Sequence, residues 1–216
     1  MKREVFGDYQ LIDQISESQK SYVYRAKCLK DQKAVVLKIF KREFHSDFLI
    51  ARTRQEIQLV QNLDIDGIIS VDGMIQVDSE IAVILEDKSG ISLREYLKSH
   101  DVSVEVFFSI AIQLTDTLAK IHKKNIIHRD IKPHNIIVSL KNYSIDRCFI
   151  TDFGISGVFQ DESLDIYNRQ TIEGSLPYIS PEQTGRMNLS VDYRSDIYSL
   201  GIIAYTLIIG SLPFHV

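Results

Sequence analysis

His128-Arg129-Asp130-Ile131-Lys132-Pro133-His134-Asn135, followed downstream by Asp152-Phe153-Gly154, is the stretch on which the reading of this chain turns. Asp, Pro and Asn favour turns, so any three of them mark nothing more than a surface loop. Eight residues in this order, with a second aspartate beyond them, carry a fuller chemical set. The Asp130 carboxylate can orient an attacking hydroxyl and accept its proton. Lys132, two residues on, places a cation near a moving phosphoryl group. Asn135 and Asp152 offer hard oxygen donors suited to Mg²⁺ between phosphates. Phosphoryl transfer is mostly positioning and charge neutralisation, and it needs such groups in fixed relation.

Upstream of this stretch the chain reads as strands with one helix. Residues 9–16, 21–28, 34–40, 71–77 and 81–86 are rich in β-branched and aromatic side chains and are separated by turn-like stretches. Residues 47–63 have helical periodicity, with Thr53, Glu56, Val60 and Leu63 on one face and Ser46 or Asp47 as cap. After about residue 90 the pattern is helical. Over 104–123, Phe107, Ile110, Ala111, Leu114, Leu118 and Ile121 form a core-facing stripe. Residues 195–209 are apolar almost all round, which predicts a fully buried helix stopped by Gly210. Strands first and helices after predict two segregated lobes in one continuous domain, with a hinge beside a cleft near residues 86–90.

Composition narrows the function classes. A net charge of −4 with dispersed Lys and Arg gives no electrostatic footprint for nucleic acid or an anionic membrane. The N-terminus has no apolar leader region, and the longest apolar stretch, 200–209, is about half a bilayer span, so a soluble, cytoplasmic protein without membrane insertion is expected. Cys28 and Cys148 match no metal-ligand spacing and read as two free, buried thiols of a reducing compartment.

Taken together, the residues resemble the eukaryotic-type protein kinase family along the whole chain. That resemblance implies an α+β, two-lobed protein kinase-like fold: a small β-rich N-lobe with one helix (1–86), a hinge (87–91) and a mainly helical C-lobe (92–216) that is cut short. It implies ATP-dependent phosphorylation of serine or threonine hydroxyls on protein substrates in signal transduction, with ATP and Mg²⁺ as cofactors. Asp130 and Lys132 take the catalytic roles, and Asn135 and Asp152 the metal. Val35-Val36-Leu37-Lys38 resembles the family's V-A-I-K strand, with Lys38 on the phosphates and Glu56 as its helix partner. Ile15, Ser16, Ser18, Ser21, Val23, Val36, Glu86 and Ile137 fall at further nucleotide-binding positions. Ser180-Pro181-Glu182 resembles the A-P-E that closes the activation segment, and Gly174-Ser175 with Tyr178 the substrate-binding loop before it. Asp196 falls where a buried helix aspartate ties down the catalytic loop. Arg129 falls where an arginine receives a phosphorylated activation-segment residue, with Thr171 first and Ser163 second as candidates. Lys132 and the Gly174-Ser175 pair resemble the serine/threonine branch. A narrower resemblance, on Pro181-Glu182-Gln183-Thr184-Gly185-Arg186-Met187-Asn188 and Glu86-Asp87-Lys88-Ser89-Gly90-Ile91-Ser92-Leu93, is to the N-terminal kinase module of large bacterial multi-sensor proteins. It implies downstream sensor or histidine-kinase modules as partners.

Two departures stand against this pattern. The phosphate-cradling loop reads Ser16-Glu17-Ser18-Gln19-Lys20-Ser21, and no glycine occurs between Gly7 and Gly67. Serines forced to positive φ there would be strained by about 1–3 kcal/mol, or the loop takes another path. The arginine that family members pair with the A-P-E glutamate lies beyond residue 216, so Glu182 is expected to be unpaired or bound elsewhere. Two function classes therefore stay open, an active protein kinase and a pseudokinase that binds nucleotide and transfers nothing. A small-molecule phosphotransferase is a third, which the long segment from Asp152 to Glu182 disfavours.

Overall fold

The computed structural model describes residues 4–142, 144–153, 157–158, 176–185 and 189–214. The chain divides into two compact units, Met1–Asp64 with Ile69–Ser89, and Ile65–Ile68 with Gly90–Val216.

The first unit is built on a six-stranded antiparallel sheet in the order β1-β2-β3-β4-β6-β5. Its strands are β1 (Val5–Phe6), β2 (Tyr9–Glu17), β3 (Ser21–Cys28), β4 (Ala34–Phe40), β5 (Val71–Val77) and β6 (Glu80–Glu86). Period-two alternation decides its faces. On β4, Val35, Leu37 and Ile39 are buried with Phe6, Leu11, Ala26, Ala82 and Ile84, while Val36, Lys38 and Phe40 point to the other face. The one helix, α1 (Asp47–Gln61), starts at Ser46, whose Oγ accepts from the Leu49 amide at 3.1 Å. It buries Thr53, Ile57 and Val60. Thr53 and Val60 of the stripe read from sequence are buried, and the other two positions differ. Ile57 faces the interior, Glu56 beside it is half-buried, and Leu63 lies past the helix end.

The second unit carries β7 (Ile91–Ser92), α2 (Leu93–Tyr96), α3 (Val104–Lys123), β8 (Ile126–Ile127), β9 (Ile136–Lys141), β10 (Ser144–Ile150), β11 (Gly157–Val158) and α4 (Tyr193–Ile209). The small sheets are β10-β9-β7 and β11-β8. Helix α3 buries Ile110, Leu114, Thr117, Leu118 and Ile121 against β10 and α4. Each such aliphatic side chain contributes about 1.5–3 kcal/mol on burial. The short Ile65–Ile68 segment belongs here because the Ile150 amide donates to the Gly67 carbonyl at 2.8 Å and Ile68 bridges to Ile150. Among the described residues no helix is long and apolar enough to cross a membrane.

Two expectations are corrected. Helix α4 is not buried all round. Ser195, Asp196, Ser199, Ile202, Ile203 and Leu207 face inward, but Ile197, Tyr205, Ile208 and Ile209 are exposed. Burial needs a neighbour on every side, and the described elements pack against one side only. Of the two free cysteines only Cys148 is buried, with its thiol pushed up to about 12 by burial against a smaller pull from Arg147. Cys28 is half-exposed because it ends β3 at the turn into β4, where its amide donates to Lys33 O at 2.9 Å.

Gly90 enters β7 with no room for a side chain. A Cβ there would meet Ile137 Cγ2 and the Val138 carbonyl oxygen, each at 2.7 Å. One of these is main chain and cannot yield. Gly90→Ala should therefore destabilise the protein by about 1–3 kcal/mol, which thermal unfolding would report as a fall of several degrees. An unchanged midpoint would mean that β7 shifts freely.

Candidate active site

The stretch from His128 to Asn135 hangs from one buried carboxylate. Asp196, in the first turn of α4, is fully buried. Its Oδ2 accepts from the His128 amide at 2.9 Å and from His122 Nε2 at 2.8 Å, and its Oδ1 from the Arg129 amide at 2.8 Å. Three charged hydrogen bonds offset the cost of removing the carboxylate from water. They also hold Arg129 at a φ of 66°, a left-handed conformation that a long side chain adopts only when its surroundings impose it. From the other side, Gln183 Nε2 donates to the Arg129 carbonyl at 2.8 Å. The Arg129 peptide units are thus gripped at both ends, and this fixes where Asp130 emerges. His128, also fully buried, donates from Nε2 to the Thr151 carbonyl at 3.1 Å, and its Nδ1 accepts from the Asp130 amide at 3.3 Å. Its ring meets Phe153 edge-on, with centroids 4.6 Å apart.

Around Asp130 the polar groups read from sequence come together. Lys132 Nζ donates to both carboxylate oxygens, at 2.9 and 2.7 Å. Asn135 Nδ2 donates to the Asp130 carbonyl at 2.9 Å and to Oδ2 at 2.8 Å. Both amide hydrogens of Asn135 are thereby committed, which leaves Oδ1 as the atom for a cation. The Thr151 amide donates to the Asn135 carbonyl at 3.0 Å, so Asp152 follows directly after a residue tied to Asn135. Asp152 itself has a φ of 68°. An amide oxygen and a carboxylate are too few for an all-protein metal cage, and among the described residues no group of three His, Cys, Asp or Glu side chains could hold a metal. They suit Mg²⁺, which takes one or two protein oxygens and completes its shell with phosphate and water.

In the first unit, register places the nucleotide candidates on one face of the sheet. Ser16 pairs with Val23, Val23 with Lys38 and Lys38 with Val83, while Val36 sits two residues before Lys38 on β4. Ile15 lies nearby on β2, 38% exposed. Glu86 ends β6 and is ion-paired to Lys88 at 2.6 Å. Burial pushes its carboxyl up, but Lys88 and Ser70 hold it below the ordinary range. Ile137, in the second unit, is half-buried on β9 opposite Ser92 and Phe149.

The serine loop is not strained, which overturns the first of the two expectations for it. None of Ser16, Ser18 and Ser21 has a positive φ. Strands β2 and β3 stay paired as far as Glu17 and Tyr22, and Ser18 closes the turn between them. Its amide donates to the Ser21 carbonyl at 2.8 Å, and its Oγ accepts from the amides of Lys20 at 3.2 Å and Ser21 at 3.0 Å. A hydroxyl does by side-chain bonding what glycine does by backbone freedom. The same hydroxyl occupies amides that a glycine loop would turn toward phosphate.

The closing end of the long segment is also held. Ser180 and Gln183 form a capping box around the 3-10 turn Pro181–Thr184. Glu182 is bound elsewhere, as one of the two alternatives foresaw. Ser195 Oγ donates to its Oε1 at 2.5 Å, and although burial raises the carboxyl, that bond holds it below the usual range. The Tyr178 carbonyl accepts from Ser199 Oγ at 2.7 Å. Gly154, Ser163, Thr171, Gly174, Ser175 and Arg186 lie outside the described residues. Sequence reasoning missed the roles of Gln183, His122 and Ser195. Only Gln183 carried a local signal, as the third helical-turn position after a capping serine.

Comparison with known proteins agrees in one direction. The family described as "Protein kinase domain" matches residues 9–216. A probable serine/threonine-protein kinase of Clostridium perfringens is 34% identical over 96% of this chain and 29% of its own length. Serine/threonine-protein kinase PrkC of Bacillus subtilis is 31% identical over 98% of this chain and 32% of its own. A probable serine/threonine-protein kinase PknB of Lactococcus lactis is 30% identical, over 98% and 33%. The chain spans about a third of the length of these relatives.

Removing the central carboxylate tests the architecture. Asp196→Ala leaves the His128 and Arg129 amides without acceptors, each worth about 1–3 kcal/mol. A loss of about 3–5 kcal/mol in chemical denaturation is expected. A loss below 1 kcal/mol would show that the loop holds its course without Asp196.

Proposed function

This chain belongs to the protein kinase domain family, and on that premise we propose that it transfers the terminal phosphoryl group of ATP to serine or threonine hydroxyls of protein substrates in signalling. The observation that carries the reading is the Asp130–Lys132–Asn135 cluster, held from behind by Asp196. A substrate hydroxyl donates to the Asp130 carboxylate, which fixes the attacking oxygen and takes its proton as the new O–P bond forms and the bond from the γ-phosphorus to the bridging oxygen breaks, releasing ADP. Lys132, now on both carboxylate oxygens, is the cation available to the charge that develops on the transferred group. Asn135 Oδ1 and the Asp152 carboxylate hold Mg²⁺, which when bound neutralises phosphate charge. By the family resemblance Lys38 takes the phosphates of the nucleotide, with Glu56 as its helix partner, and Ile15, Ser16, Ser18, Ser21, Val23, Val36, Glu86 and Ile137 are further nucleotide-binding candidates. The gap between Asp130 and either fate, kinase or nucleotide-binding module, is one of chemistry, so transfer of labelled phosphate to protein decides it. Asp130→Asn should lower the rate by about 10²- to 10⁴-fold, and Lys38→Met and Asp152→Ala should abolish transfer with circular dichroism unchanged. Nucleotide binding without transfer in the unaltered protein would leave the non-catalytic module.

The occupied turn yields a second test. If the amides of Lys20 and Ser21 are withheld from phosphate by Ser18 Oγ, Ser18→Gly should tighten Mg²⁺–ATP binding by roughly tenfold, about 1.4 kcal/mol. Added loop entropy in the free protein works against that gain. Unchanged or weaker binding in a calorimetric titration would mean that the turn's amides take no part, or that Ser18 itself contacts the nucleotide.

A further inference from the structure

Arg94 lies on the exposed side of α2 and turns its guanidinium to the catalytic loop. Its Nη1 lies 2.8 Å from His134 Nε2 and 3.3 Å from Nδ1. His134 immediately precedes Asn135, whose amide is bonded to Asp130 at 2.8 Å. The guanidinium is thus bonded to the residue covalently next to the one that holds the Asp130 carboxylate. Among the described residues no carboxylate is within ion-pair distance of Arg94. The neighbouring cations are already matched, Lys98 by Glu95 at 2.7 Å and Lys132 by Asp130 at 2.7 Å. A guanidinium has donors only, so the ring nitrogen it meets accepts the bond and brings no negative charge to the pair. One of the five N–H donors of a guanidinium is therefore used on a ring nitrogen, and the rest of a permanent positive charge stays uncompensated beside the reaction centre. Arg94 is also close enough to Tyr178 to oppose, by its charge, the upward push of burial on that phenol.

We propose that Arg94, held in place by His134, is a specificity-determining residue that selects serine/threonine substrates with a carboxylate side chain near the acceptor hydroxyl. The proposal rests on the kinase reading above and names the substrate class of that same site. A guanidinium fork matches a carboxylate with two parallel, charge-assisted bonds, which a lysine in its place would not reproduce. The bland alternative is a solvated surface arginine that contacts His134 by chance, and it predicts no charge preference in the substrate.

The test uses labelled serine peptides that differ only by Asp against Asn at each position flanking the acceptor. Both kcat/KM and equilibrium binding, by fluorescence anisotropy, are measured. The unaltered protein should favour Asp at one or two positions by about tenfold, with the effect carried by KM and reduced in high salt. Arg94→Gln should collapse the Asp-to-Asn ratio toward one. Arg94→Glu should reverse it in favour of a Lys-containing peptide, and Arg94→Lys should restore only part of it. Equal ratios in the unaltered protein and Arg94→Gln, by both measures, would overturn the proposal. Binding is read without turnover, so a protein that binds acidic peptides through Arg94 but transfers no phosphate would sink the kinase reading and keep this one.

Discussion

The arrangement around Asp130 depends on a second carboxylate, which is wholly buried. Asp196 is removed from water and receives two consecutive main-chain amides and an imidazole. A buried anion is tolerable only when its lone pairs are filled, so the loop that fills them is held to one course. The left-handed turn at Arg129 follows, because two neighbouring N–H groups cannot both point at one side chain from a regular strand. Asp130, Lys132 and Asn135 then leave a turn whose direction is already set. Gln183 extends the control from a different part of the chain. Its amide oxygen caps Ser180 while its amide nitrogen holds the Arg129 carbonyl. The segment that ends near Ser180 and the loop that bears Asp130 are therefore mechanically joined by one side chain.

Two tight turns are stabilised by different means. At Arg129 a left-handed backbone is held by Asp196 and Gln183. Between β2 and β3 the turn has no residue at positive φ, and the Ser18 hydroxyl supplies the missing acceptor. The consequence is a stiffer and more self-contained turn than glycine would give, with its polar groups directed inward.

Most of the fold was legible because its signals are local. Strands β3, β4 and β5, and helix α3, fall on the residues that periodicity and composition mark. The constellation at Asp130 was legible for the same reason, since its members lie within a few residues. What failed was information that depends on neighbours distant in sequence. The exposure of Ile197, Tyr205 and Ile208 on α4 could not be read from an apolar run, because apolarity says what a helix could bury and not what covers it. Ile57 was left out of the α1 stripe, although it joins Thr53 and Val60 inside, because a four-residue pattern does not define the width of a buried face. The capture of Glu182 by Ser195, and the amide of Gln183 on Arg129, cross gaps that no periodicity spans.

The bond from Asp196 to the His128 amide joins residues 68 positions apart. By contrast β2 with β3, and β5 with β6, close as neighbouring hairpins. Chain closure over a long interval is slow relative to hairpin formation. During synthesis the first unit's strands can pair while the catalytic stretch has emerged but lacks its anchor. Only when α4 leaves the ribosome can Arg129 settle into its left-handed turn. The loop that bears Asp130 is thereby completed only on the arrival of α4, and a chain interrupted before residue 196 would hold every polar group of the Asp130 cluster without the carboxylate that shapes it.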